Sequence, residues 1–412
     1  SAGPLTQTGQ DCCMPVNPAL LILILTLLLG LQPFTTDLYL PALPFITESF
    51  ETTMARSQLT LSILLLAFGA SQLFWGPISD RFGRRPVLLI GLGLYSLSAI
   101  GATLAPAMEW LIAWRVSQGI AMGSAIMCAR ALVRDLFDDP VQSAQVLSRG
   151  LSGLGIIACI AAPLGSILTA TLGWRYIFVF LALFALAVML LIALRFDETL
   201  RTPGSLALQP QRLVHTWGTV LSNHTFWSYA LLQTATFGGL YVFLASSSFV
   251  FMEYLGLSAT HYGIIMFTMA FSYIGGTLLC RRLLLRFSIQ RTVVIGGALA
   301  LTGSSVMILL VALGFNSLWA LLLPFYLFMV SHGINQPCAQ SGVMGPFPQA
   351  AGAASALSSL VMVIGSFLVG FWLGLAMDGS PLPMALGIWF CGIAVAVFGW
   401  GLAARIREPR AV

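Results

Sequence analysis

Lysine is absent from this chain, and charge of either sign is scarce. Only 8% of the 412 residues are charged, and all 19 basic ones are arginine. A soluble domain carries about 25% charged residues, so a water-soluble globule is excluded. The net charge of +5 sits in short arginine runs without an aromatic platform beside them, which excludes a nucleic-acid partner. The four histidines, His215, His224, His261 and His332, are scattered, whereas an enzyme embedded in a membrane needs a cluster of catalytic groups. No ring of polar residues or filter sequence suggests a channel. Seven cysteines are present, but no spacing among them builds a zinc site or a disulfide framework. Cys128, Cys159, Cys280, Cys338 and Cys391 lie in apolar stretches and read as small buried hydrophobes. Cys12 and Cys13 fall in a polar tail that lacks the basic start of a cleavable signal. No cofactor and no metal are expected, and no enzymatic activity.

Hydrophobic residues make up 58% of the chain, at a mean hydropathy of +0.92. Runs of about 20 apolar residues, long enough to cross a bilayer, recur from end to end. They predict an all-α membrane protein with 12 transmembrane helices in two six-helix bundles. The spans fall at 18–46, 57–79, 86–105, 108–134, 142–170 and 174–195, then at 225–252, 259–285, 291–313, 317–342, 351–377 and 382–404. This divides the chain into a tail (1–17), a first bundle (18–195), a polar linker (196–223), a second bundle (224–405) and a short tail (406–412). The linker holds Asp197, Glu198, Arg201, Pro203, Gly204 and Gln209 to Arg212. Placing both termini in the cytoplasm puts 16 of the 19 arginines on the inner side, as the positive-inside rule requires. Arg56 and Arg175 fall outside, and Arg115 lies within a helix. Arg81-Phe82 with Ile90-Gly91 recurs as Arg286-Phe287 with Ile295-Gly296, each after the second helix of its half.

Asp37 stands deep in the first span, within Thr36-Asp37-Leu38-Tyr39-Leu40-Pro41-Ala42-Leu43-Pro44. An ionisable group at membrane depth marks an ion or substrate path. Asp37 lies about nine residues from the outer end of its helix and Arg115 about seven from that of the fourth, so both sit roughly 10–14 Å deep at 1.5 Å per residue. Two charges at one depth predict a pair, either a static structural bridge or a proton site tuned by its cation. Pro33, Pro41 and Pro44 make the first helix irregular, so freed carbonyls can line a cavity.

Gly76-Pro77-Ile78-Ser79-Asp80-Arg81-Phe82-Gly83-Arg84-Arg85-Pro86 joins the second and third helices. Asp80 precedes Arg84 by four residues, a spacing that lets them pair on one helical turn. Asp135, at the inner end of the fourth helix, can complete an Asp–Arg–Asp cluster.

This loop resembles the signature G-x-x-x-D-R-x-G-R-R/K of the major facilitator superfamily at every fixed position. The Asp37 stretch resembles the first helix of the superfamily's Bcr/CflA subgroup of drug–proton antiporters. Pro346 to Leu357 resembles that subgroup's loop between the tenth and eleventh helices, and Arg115-Val116-Ser117-Gln118-Gly119 the superfamily's second motif. The resemblance runs from about Ala19 to Arg407. Ala162-Pro163-Leu164-Gly165-Ser166 is similar to the antiporter motif G-P-x-x-G, with alanine for the first glycine and one residue fewer. It also reads as small residues for close helix packing.

The resemblance implies the major facilitator fold and a proton-coupled exporter of small organic molecules such as drugs, working by alternating access in the bacterial inner membrane. Its partners are then a small-molecule substrate, protons and the lipid bilayer, and the chain acts as a monomer. A dedicated exporter of metabolites such as nucleosides, amino acids or small peptides stays open, as does a proton-coupled importer. Asp37 and Arg115 are the expected proton-coupling pair. Gly76, Asp80, Arg81, Gly83, Arg84, Arg85 and Asp135 are the expected conformational latch. Where some relatives carry a second acid eight residues before the aspartate, this chain has Leu29, so coupling rests on Asp37. Substrate contacts are expected from Thr36, Tyr39, Gln118, Gln233, Tyr241, His332 and Asn335, with Thr234, Gln336 and Ser246 to Ser248 as further polar candidates.

Overall fold

The computed structural model describes residues 18–136, 140–199, 210–347 and 350–405. Both tails, with Cys12, Cys13, Arg407 and Arg410, lie outside that set, as do Arg201, Pro203, Gly204 and Gln209 of the linker and Pro348 and Gln349. The described residues are overwhelmingly helical. The first bundle holds α1 (Pro18–Asp37), α2 (Leu43–Ser49), α3 (Met54–Phe82), α4 (Arg84–Thr103), α5 (Met108–Leu136), α6 (Pro140–Thr171) and α7 (Arg175–Arg195). The short amphipathic α8 (Pro210–Leu221) follows and rests on the second bundle. That bundle holds α9 (His224–Ser248, continued by a π turn to Tyr254), α10 (Ala259–Leu284), α11 (Ile289–Ala312), α12 (Leu318–Met344), α13 (Ala351–Ala376) and α14 (Leu382–Gly401). Eleven segments are long and apolar enough to span a membrane, with α1 and α2 counted together. The apolar stretch Ile156–Thr171 of α6 supplies the twelfth.

Local chemistry sets the helix starts. Thr53, Asn223, Ser258, Ser288 and Ser317 each stand in extended backbone and accept a backbone N–H one turn on, satisfying one donor that a helix start leaves free. The first span is broken rather than continuous. Beyond Asp37 the chain makes a turn and a single 3-10 turn, Leu40–Ala42, before α2. Pro41 and Pro44 lack the N–H groups an unbroken helix needs there. Pro33, in contrast, lies inside α1 without ending it. Of the cysteines, Cys128, Cys280, Cys338 and Cys391 are buried as expected, while Cys159 is only half-buried.

Two seams join the bundles, α3 against α13 and α6 against α10. The face of the molecule that carries the bundle termini is called the termini face here, and the opposite one the far face. Close to the far face Gln58 Nε2 donates to the Ala245 carbonyl at 3.0 Å, and Ser62 Oγ meets Tyr241 OH at 2.6 Å. Gly374 and Gly370 of α13 lie where a side chain would press on Ala55 and on Tyr241 and Ser62. Towards the termini face Arg130 Nη1 reaches Ser355 Oγ at 3.4 Å.

The internal repeat marks matching positions. Gly91 of α4 lies against Ser124 of α5, and Gly296 of α11 against Asn335 of α12. Inside the first bundle, Gly119 of α5 faces the Leu64 carbonyl of α3, where an added Cβ would sit 2.2 Å from that oxygen. Backbone cannot yield as a flexible side chain does. Gly119→Leu is therefore expected to part α3 from α5 and cost about 1–3 kcal/mol, the range for overpacked cores. Thermal unfolding of the detergent-solubilised protein checks this as a lowered midpoint.

Candidate functional site

The break in α1 lies at the centre of the site. In an unbroken helix the Tyr39 N–H would bond to the Thr35 carbonyl. Here it bonds to the Thr36 carbonyl instead, at 3.3 Å, which leaves the Thr35 oxygen free. Arg115 of α5 takes it up, with Nη1 and Nη2 at 3.5 and 3.4 Å. Nη1 also donates to Gln118 Oε1 at 2.9 Å. The guanidinium lies 4.2 Å from the Tyr39 ring centroid and 5.7 Å from that of Phe178, a cation–π arrangement. Thr35 Oγ1 meets Tyr95 OH at 2.5 Å, and Tyr39 OH meets Thr60 Oγ1 at 2.7 Å. Arg115 is fully buried.

Asp37 does not join this network, which corrects the expected pair. Among the described residues no ion pair links Asp37 to Arg115. The polar hydrogen bond to its carboxylate comes from Thr36 Oγ1, at 2.8 Å. The two groups share a level along the helices but not an azimuth. Thr35 and Asp37 are two residues apart, about 200° around a helix, so they face opposite ways. Arg115 is held on the Thr35 side. The 3-10 turn that follows Asp37 packs against α9 and α10 of the second bundle, and Asp37 itself is half-buried. It therefore sits at the junction of the bundles. Gly165 of α6 approaches the Leu38 carbonyl so closely that a side chain there would strike it, and Pro163 and Ser166 meet Gly263 of α10. The antiporter-like stretch thus lies beside the break in α1 and beside the second bundle.

The loop after α3 forms the expected cluster. Arg84 Nη2 is 2.6 Å from Asp80 Oδ1, and its Nε is 2.8 Å from Asp135 Oδ2. Nη1 donates to Ser79 Oγ at 2.6 Å. Arg84 is almost wholly buried, while Asp80 stays half-exposed. Such a fork satisfies two carboxylates with fixed geometry. One member was missed by the sequence reading. Glu198, just past α7, accepts from the backbone N–H groups of Arg84 and Arg85 at 2.9 and 3.1 Å. These are the first two donors of α4, the third position is Pro86, and an acid favours a helix start. Gly83 makes room for it: φ is +100°, and a side chain there would collide with the Glu198 carboxylate. Arg85 donates to the Ala193 carbonyl at the end of α7. Gly76 packs near Met127, and Arg81 lies exposed over the Phe82 ring. All these residues belong to the first bundle or its exit.

The residues expected to touch substrate separate into two groups. Tyr39 and Gln118 are committed to Arg115, Thr36 to Asp37, and Tyr241 to Ser62 across the seam. His332 Nδ1 lies 3.1 Å from Thr236 Oγ1, with the ring 5.6 Å from that of Tyr273, so it packs inside the second bundle. Asn335 donates to Ser331, itself bonded to the Gly296 carbonyl. Gln233 is buried with its side-chain oxygen unpartnered.

The profile described as Major Facilitator Superfamily matches residues 25–370. The chain belongs to the Major Facilitator Superfamily. Among its relatives, Multidrug resistance protein D of Escherichia coli (strain K12) is 29% identical over 94% of this chain and 97% of that protein. A Chloramphenicol resistance protein of Pseudomonas aeruginosa is 27% identical, covering 91% and 88%. A Bicyclomycin resistance protein homolog of Haemophilus influenzae is 25% identical, covering 94% and 97%. These names agree with the Bcr/CflA resemblance. A crystal structure of a D-xylose–proton symporter superposes with a TM-score of 0.74 over 93% of this chain and 97% of its own, at 16% identity, which shows the shared fold. Major facilitator proteins are transporters, and the match indicates that class for this chain.

A transporter must open the seam at the far face. Gly374 lies where a Cβ would stand 3.2 Å from that of Ala55, slightly closer than the roughly 3.5–4.5 Å of a disulfide, so a small parting of the helices suffices to admit one. In a background stripped of native cysteines, Ala55→Cys with Gly374→Cys is expected to cross-link on oxidation and abolish transport, and reductant is expected to restore it. Counterflow in liposomes reads this out.

Proposed function

We propose that this protein is a proton-coupled exporter of small organic molecules, drugs among them, across the bacterial inner membrane. It works as a monomer by alternating access, with both termini in the cytoplasm. One observation carries the reading. Asp37 is a carboxylate at membrane depth, free of any cationic partner among the described residues, beside a turn that packs on the second bundle. A carboxyl group walled off from water holds its proton, and one opened to water releases it. Rocking of the bundles changes the access of Asp37 to water and so moves a proton with each cycle. Inward proton movement supplies about 2.3 kcal/mol per charge at 100 mV, before any pH gradient. Arg115 acts on Asp37 indirectly, by fixing the end of α1 that carries it. The printed names of the relatives support antibiotics as cargo.

Asp37→Asn is expected to abolish substrate-dependent proton release from purified protein while leaving the fold intact. Chloramphenicol and a panel of nucleosides and small peptides serve as test substrates. Uphill transport by the Asn variant would overturn the proton assignment. The Asp80–Arg84–Asp135 cluster serves as the termini-face latch. It buttresses α3, α4 and α5 as one body against the second bundle, with Glu198 tying in the exit of α7. Asp80→Asn is expected to shift the population towards the state open at the termini face, seen as faster labelling of cysteines placed there. Unchanged labelling counts against the latch.

A further inference from the structure

Two cysteine sulfurs touch inside the second bundle. Cys280 Sγ of α10 lies 3.7 Å from Cys338 Sγ of α12, and both residues are buried. They stand 58 positions apart, so no local spacing records the contact. The Cys280 thiol donates to the Ile334 carbonyl at 3.6 Å. Neither thiol belongs to the latch, the seam bonds or the surroundings of Asp37. Packing alone asks only for small apolar groups here, and alanine would supply those without a reactive atom.

The backbones keep the pair together. α10 and α12 cross at Gly276 and Gly333. A Cβ on Gly276 would fall 2.4 Å from the Val330 carbonyl oxygen, and one on Gly333 would fall 2.6 Å from that of Tyr273. Cys280 follows Gly276 by four residues and Cys338 follows Gly333 by five, so both stand about one turn past the crossing. The sulfurs need to close by about 1.6 Å to reach the roughly 2.05 Å of a disulfide, a distance within the swing of two side chains.

The pair also holds a mechanical position. Pro337 lies inside α12, immediately before Cys338. Its missing N–H leaves the Gly333 carbonyl without a helical donor, which makes the turn after it a natural hinge. α10 packs on α6 along one of the two seams. A bond between the sulfurs therefore ties the hinged end of α12 to a seam helix. Cys280 is four residues, about 6 Å, from the end of α10 at Leu284. Arg281 and Arg282 are exposed there, so a small neutral oxidant has a short path from the termini face.

We propose that Cys280 and Cys338 form a reversible disulfide under peroxide, and that this bridge slows transport by clamping the end of α12 to α10. The first thiol attacks hydrogen peroxide, the O–O bond breaks, and a sulfenic acid and one water form. The second thiol attacks the sulfenic sulfur, the S–O bond breaks, a second water leaves and the S–S bond forms. Two electrons pass from the thiols to the peroxide. Two equivalents of a thiol reductant exchange with the bridge, become a disulfide themselves and return both thiols. With the termini face in the cytoplasm, as the exporter reading has it, the pair rests reduced and its oxidation is a signal.

The test uses the full-length protein in liposomes, treated with hydrogen peroxide and then with dithiothreitol. Mass spectrometry of a protease digest made without reductant is expected to show the α10 and α12 peptides joined, with the loss of two hydrogens. Backbone hydrogen exchange over 339–344 is expected to slow roughly tenfold or more in the oxidised protein and to recover with reductant. Chloramphenicol counterflow is expected to fall as the bridge forms and to return when it breaks. Cys280→Ala and Cys338→Ala are expected to keep transport and to lose its response to peroxide. Absence of the joined peptides overturns the inference. A bridge that leaves exchange or counterflow unchanged overturns it too, as does an equal peroxide response in both alanine variants. Reduced wild-type protein that moves no chloramphenicol overturns the drug-exporter reading, and the exchange measurement then still decides the clamp.

Discussion

A buried guanidinium with no carboxylate opposite it organises the first bundle. An arginine at membrane depth costs about 2.5–3.5 kcal/mol on insertion scales, and Arg115 offsets this without an opposite charge. It takes the Thr35 carbonyl that the break in α1 sets free, the oxygen of Gln118 and the face of Tyr39. The end of a helix carries partial negative charge, so Arg115 in effect caps α1. The two features need each other. Without the break there is no free carbonyl, and without the arginine the break leaves a polar end buried in apolar surroundings. A carboxylate partner becomes unnecessary, and Asp37 is left free of a cation to face the second bundle.

That division of labour could not be seen in the chain itself. Depth along a helix can be counted from residue numbers, and the count put Asp37 and Arg115 correctly near one level. The direction a side chain faces at a helix end depends on where the helix stops, and Pro33 is a poor guide to that because it is tolerated inside α1. The turn from Tyr39 to Thr36 decides the matter. By contrast, the spans were legible because length and hydropathy alone fix them. Asp80 with Arg84 was legible because a spacing of four is a local fact. Glu198 was not, because it reaches Arg84 across 114 positions, and no local spacing records that. A signal did exist in hindsight: Gly83, Arg84, Arg85 and Pro86 begin a helix with no capping side chain of their own.

The seam shows the same dependence on distant partners. Gly370 and Gly374 read as ordinary small residues of an apolar helix. Only against Tyr241, Ser62 and Ala55 does their lack of a side chain become the condition for closure. The seam is also polar at intervals, with Gln58 on Ala245 and Ser62 on Tyr241. These bonds are made to groups that can find water once the bundles part, so opening exchanges partners rather than abandoning them. An apolar seam of the same closeness would lack that exchange.

Gln72 extends this reasoning to the interior. On the stripe of α3 that faces the second bundle, Gln58 and Ser62 find partners across the seam and Gly69 finds a close contact. Gln72 finds none for its oxygen, and the oxygen of Gln58 is unpartnered as well, its amide nitrogen alone being bonded. The stripe therefore carries amides that the closed seam satisfies only in part, at Gln58 near the far face and at Gln72 deeper in. A helix built only to close would place leucine at that position. An amide there destabilises the closed state slightly and favours whatever supplies the missing hydrogen bond.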